Sequence, residues 1–107
     1  MRREQTPSDL PQPAGSPEVG EPVFLVVGKL RHPHGLRGEM LMEIITDFPE
    51  RLRQGVTVYV GAEHPPMRIH NRRAHSEGLL LALEGYTTPE AIGAFRNQLV
   101  YVSAHDR

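Results

Sequence analysis

Residues 29 to 40 read KLRHPHGLRGEM and gather the side chains with the most chemical reach in the chain: Lys29, Arg31, His32, His34 and Arg37 around Pro33, Gly35 and Gly38. Four chemistries suit such a set: a phosphate cradle, a metal site, an RNA clamp, or a turn that presents side chains to a partner. Gly35 and Gly38 would let backbone N–H groups approach an anion. A Walker loop, however, carries lysine after its second glycine and runs into a helix, and here Glu39 follows. Gly35-Leu36-Arg37-Gly38 also has the G-x-x-G spacing with which KH domains clamp RNA backbone, but that loop joins two helices and both flanks here read as strands. His32 and His34, with His64, His70 or His75, supply imidazoles, yet no H-x-x-x-H or H-E-x-x-H face organises them. No metal and no other cofactor is expected.

Catalytic sets are missing elsewhere as well. There is no cysteine, so thiolate chemistry, a disulfide framework and a thiolate zinc site are all excluded. No G-x-S-x-G elbow occurs, and the serines beyond residue 22 are Ser76, in a turn, and Ser103, at a strand end. Asp47 and Glu50 resemble an acid/base pair, but their spacing is also that of a helix-capping pair, which explains them locally. The chain is not expected to be an enzyme.

Charge offers another function. Arg68, His70, Arg72, Arg73 and His75 form a second basic stretch. With Lys29 and Arg31, the arginines Arg68, Arg72 and Arg73 would make an RNA-facing surface, or else simply the solvated outer faces of strands. Single-strand binders stack bases on exposed rings, whereas this chain has no tryptophan, and Phe24, Tyr59 and Tyr101 lie within strands where a core can claim them. What remains is a docking turn. The connection from His32 to Gly38 is longer than a minimal hairpin needs, and loops carry function on rigid scaffolds. Pro33, His34, Gly35, Leu36, Arg37 and Gly38 are therefore the expected partner-binding residues. A stand-alone RNA-binding barrel acting through the two basic stretches is the alternative.

The elements that must position this turn are short. VFLVVGKL (23 to 30), EMLMEII (39 to 45), VTVYV (56 to 60), residues 67 to 74, LLLALE (79 to 84) and LVYV (99 to 102) read as strands by β-branched content and alternation. His75-Ser76-Glu77-Gly78 reads as a hairpin turn. Thr88 as N-cap, Pro89 at the first helical position and Glu90 in the first turn start the one helix, and Asn97 suits its left-handed cap. A helical turn from Asp47 to Leu52 is also expected. Six short strands and one helix before the last of them predict an all-β fold: a small antiparallel barrel whose closure removes exposed edges.

Composition bounds the rest. The chain has 107 residues, which suits one domain. Residues 1–22 hold five of the ten prolines and few large aliphatics, so they read as a disordered tail. Removing that tail's two arginines and four acids leaves ten cations against nine acids, and the net charge changes from −1 to +1. Neither value marks a nucleic-acid binder. No run approaches the ~18 apolar residues of a membrane span and no signal peptide is evident, so a cytoplasmic protein is expected.

Taken in order, VGKLRHPHGLRGEM, TDFPERL, GVTVYVG and RRAHSEGLLLALEGYTTPEAIGAFRNQLVYV resemble the N-terminal domain of the ribosome maturation factor RimM family. The resemblance covers residues 23–103. It implies a six-stranded β-barrel similar to translation-factor barrel domains, in a bacterial protein that assists late assembly of the small ribosomal subunit and processing of its rRNA. The implied partners are the immature subunit's head, its RNA, and the nineteenth small-subunit ribosomal protein, bound by a monomer without catalysis. Asn97 stands where the family usually has glycine, and both residues tolerate the left-handed cap. Family members continue into a PRC-type barrel, so residues 104–107 read as the start of a linker to that domain.

Overall fold

The computed structural model describes residues 23–104. The expected tail, residues 1–22, and most of the expected linker lie outside the described residues. Within them the chain forms β1 (Phe24–His34), β2 (Glu39–Ile44), a 3₁₀ turn (Pro49–Arg51), β3 (Thr57–Val60), β4 (Pro66–His75), β5 (Gly78–Leu83), α1 (Pro89–Gly93) and β6 (Leu99–Ser103). All ladders are antiparallel and close into one barrel in the order β1-β2-β5-β4-β3-β6. The expected fold class is the observed one.

Side-chain alternation fills the interior. Leu30, Met40, Met42, Val58, Val60, Ile69, Leu81 and Val100 point inward and are at most 1% exposed. Closing so few strands requires sharp bends, and the register slips at three places, between Val26 and Gly28, Leu30 and His32, and Ile69 and Asn71. Each slip is a bulge that bends its strand around the barrel. Ile92 of α1 and Leu52, just after the 3₁₀ turn, are fully buried members of the same core, supplied by segments outside the sheet.

Local chemistry accounts for the connections, with two corrections. Thr88 caps α1 as its sequence predicts, its hydroxyl accepting from Ala91 N at 3.1 Å. Asn97 is left-handed, with φ of +68°, but α1 ends at Gly93, and residues 94 to 97 go on as turns with i to i−3 bonds such as Phe95 N to Ile92 O. The Asp47–Glu50 capping pair is not formed. Phe48 occupies the N-cap of the 3₁₀ turn with no side-chain cap, and Thr46 Oγ1 instead accepts from Phe48 N at 3.1 Å. A three-residue turn opened by Pro49 has too few free N–H groups to require a carboxylate.

Candidate functional site

The KLRHPHGLRGEM stretch is strand for most of its length. Pro33 faces Met40 and His34 faces Glu39 in the β1–β2 ladder, so the expected long connection shrinks to the turn Gly35-Leu36-Arg37-Gly38. The bulge at Arg31 adds one unpaired residue to β1 ahead of the turn. Both glycines take positive φ, +72° at Gly35 and +81° at Gly38, for different reasons. Around Gly35 the space is open, so only its backbone conformation asks for glycine. Gly38 is buried under the 86–87 segment: a Cβ there would lie 2.5 Å from Tyr86 O and 2.8 Å from the Thr87 carbonyl carbon.

This arrangement sorts the six expected residues. Gly35, Leu36 and Arg37 are exposed, and Leu36 is 85% accessible, the most exposed large hydrophobic side chain among the described residues. Pro33 and His34 are half-buried, Pro33 against Gly93 of α1. The His34 ring meets His75 edge to face, with centroids 5.3 Å apart. Gly38 is the buried pivot.

Beside the turn, Glu39 accepts two hydrogen bonds from one guanidinium, Arg73 Nε to Oε2 and Nη2 to Oε1, each at 2.8 Å. These bonds pull the Glu39 carboxyl below its ordinary value of 4.5 and outweigh its partial burial, and the charges of Arg73, His34 and Arg37 act in the same sense. The bidentate fork ties β2 to β4 across β5, directly behind the turn.

The five expected RNA-facing cations do not form one free positive surface. Arg31 pairs with Glu43 at 3.5 Å, Arg68 with Glu84 at 3.7 Å and Arg73 with Glu39 at 2.8 Å. Arg72 and Arg73 are neighbours in sequence and therefore face opposite sides of β4. Arg72 is half-buried, donates from Nη2 to Pro49 O at 3.4 Å, and has its Nε buried without an acceptor. Lys29 alone of the five is unpaired and half-exposed among the described residues. Charges adjacent along a strand read as a patch, but acids on neighbouring strands neutralise them, and sequence order does not show those neighbours.

A second correction concerns the rings. Phe24, Tyr59 and Tyr101 are half-buried outside the core and cluster with His64, which stacks on Phe24 at 4.1 Å and meets Tyr101 edge to face at 4.6 Å. The alternation of Tyr59 and Tyr101 with Val58, Val60 and Val100 is the legible signal that these two face outward. Among the described residues no group of three or more His, Asp or Glu side chains could hold a metal ion. An open groove of about 430 Å³ between Thr57, Pro66, Met67, Arg68, Glu84 and Tyr86 brings no convergent chemistry beyond the Arg68–Glu84 pair.

The family model for the RimM N-terminal domain matches residues 25–107. Among curated relatives, the ribosome maturation factor RimM of Bacillus cereus is 36% identical over 81 residues, covering 71% of this chain and 47% of its own length. That of Oceanobacillus iheyensis is 35% identical over 78 residues, covering 71% and 46%. The chain thus spans about half the length of the curated relatives it matches. Two solved structures share the fold: a RimM crystal structure from Pseudomonas aeruginosa (TM-score 0.70, 21% identity, 79% of this chain and 53% of that one) and the solution structure of the N-terminal domain of RimM from Thermus thermophilus (0.66, 22%, 78% and 92%).

Proposed function

The chain belongs to the RimM family, and from that premise we propose that it is the N-terminal barrel of a ribosome maturation factor that acts by binding the immature small ribosomal subunit. On this reading it assists late assembly of the subunit head and processing of its rRNA, and it contacts the nineteenth small-subunit ribosomal protein. It works in the cytoplasm as a monomer and catalyses no reaction. Among the described residues no helix is long and apolar enough to cross a membrane. An assembly factor needs only to prefer one conformation of its target, and each ~1.4 kcal/mol of preference shifts the equilibrium tenfold.

One observation carries the choice of contact surface: Leu36 stands 85% exposed at the tip of a hairpin whose base is fixed. Gly38 is wedged under residues 86–87, Pro33 rests on α1, and Glu39 is forked to Arg73. A large aliphatic side chain held in water by a rigid support is suited to a partner's pocket, and burying it is worth roughly 1.5–3 kcal/mol. Arg37 beside it adds charge, Gly35 and Gly38 fix the turn, and Pro33 and His34 form its shoulder. The reading as a stand-alone RNA-binding barrel draws less support, because three of the four arginines it requires are ion-paired and the fourth turns inward.

The test is titration of this chain against immature small subunits, the isolated ribosomal protein and bare rRNA at several salt concentrations. Leu36→Asp is expected to weaken subunit binding at least tenfold without lowering the unfolding midpoint. Undiminished binding by that variant, or tight binding to bare RNA alone with a steep salt dependence, would sink the proposal.

A further inference from the structure

The end of the β1–β2 hairpin opposite the turn is apolar. Val23, Leu25, Val26, Ile44, Ile45 and Phe48 are each between 36% and 53% exposed. The N–H groups of Ile45 and Thr46 donate to Val27 O at 3.0 and 3.1 Å and Gly28 faces Ile44 in the ladder, so the segment from Ile44 to Phe48 lies beside the start of β1. Phe48 is held outward by its bond to Thr46 Oγ1, with the Arg51 guanidinium 5.1 Å from its ring centroid. Next to it, Arg72 has its buried Nε without an acceptor. Among the described residues no carboxylate pairs with Arg51 or Arg72. Exposed apolar side chains at one end of the hairpin, beside an Arg51 guanidinium that no carboxylate pairs among the described residues, suit an apolar partner that brings an acceptor of its own.

Two facts identify that partner. The matching family model is that of an N-terminal domain, and the chain spans 47% of the Bacillus cereus relative, so in such relatives a second half follows this barrel. Along β6, Val102 faces Leu25 and Ser103 faces Phe24, and Ala104 N donates to Val23 O at 2.8 Å. A polypeptide continuing from Ala104 therefore emerges at the border of the apolar surface. We infer that this surface seats the C-terminal half of a RimM chain. Tethering at that border raises the local concentration of the half to the millimolar range, so even a weak apolar contact closes. The inference uses family membership but not the role assigned to Leu36, which lies at the other end of the hairpin, so either can fail alone.

The test fuses the C-terminal half of the Bacillus cereus relative after Ala104 and compares the methyl signals of Ile44 and Ile45 with those of the unfused chain. Both are expected to shift on fusion, and Phe48→Asp in the fused chain is expected to return them to their unfused positions. Unshifted methyls beside a folded second half would overturn the inference. So would shifts that appear in the unfused chain as its concentration rises, which assign the surface to a second copy, or shifts that need added small subunits. Should the fused half not fold, the full-length Bacillus cereus protein and its isolated N-terminal half decide the matter. Amide exchange in the segment matching residues 44 to 48 is expected to be at least tenfold slower in the full-length protein, and equal rates refute the proposal.

Discussion

Gly35→Ala and Gly38→Ala are the same chemical change at two ends of one turn, and the structure separates their costs. At Gly35 an alanine must hold φ near +72° with nothing within 4 Å of its Cβ. That strain costs roughly 1–2 kcal/mol, partly offset by about 0.4–1 kcal/mol from the stiffer unfolded chain, for a net loss near 1 kcal/mol. At Gly38 the same strain is joined by contacts of 2.5 Å with Tyr86 O and of 2.8 and 2.9 Å with the Thr87 carbonyl carbon and Cα. These are main-chain atoms that no rotamer change can move aside, so an overpacking cost of about 1–3 kcal/mol is added. Gly38→Ala is expected to lose about 2–4 kcal/mol. For a domain of this size each kcal/mol moves the thermal midpoint by roughly 4–8 °C. Urea and thermal unfolding of both variants, followed by circular dichroism, measure the difference directly. Equal losses, or a larger loss at Gly35, would refute the claim that the 86–87 segment clamps the base of the turn.

Two further outcomes follow from the same geometry. Because Glu39 has a folded pKa below its ordinary value of 4.5, the folded chain binds fewer protons, so its contribution is complete above about pH 4.5 and is lost as pH falls through the lowered value. Glu39→Gln is expected to flatten that part of the stability profile by under about 1 kcal/mol, since Arg73 is more than half exposed; an unchanged acid limb in urea titrations would contradict the fork. Ile92→Ala removes a fully buried side chain that only α1 supplies to the core, and a loss of about 2–5 kcal/mol in urea unfolding is expected. A loss below 1 kcal/mol would show that α1 lies on the barrel without helping to close its core.

Much of the fold was legible because strands declare themselves through alternation and turns through glycine. The Val56–Val60 run, the His75–Gly78 hairpin and the Thr88-Pro89-Glu90 helix start all form close to where they read. The candidate turn was legible in part. Its glycines and exposed Leu36 were found, but its length was overestimated, because a bulge leaves no mark in residue types when the bulged residue is itself a plausible loop residue such as Arg31. The capping pair failed for a similar reason: Asp47 and Glu50 have the spacing, but Pro49 starts so short a turn that Thr46 met the local need instead.

The sequence by itself determined which stretches form strands, where the chain reverses and which family it resembles, since these follow from period, backbone freedom and residue order along a single strand or turn. Only the tertiary structure decided which charges are free. Arg31, Arg68 and Arg73 are neutralised by Glu43, Glu84 and Glu39, each distant in sequence and brought close by barrel closure. The same closure buries Gly38 beneath residues 86–87 and leaves Leu36 in water. Electrostatic pairing and clamping depend on distances between strands, and those distances are set when the sheet closes.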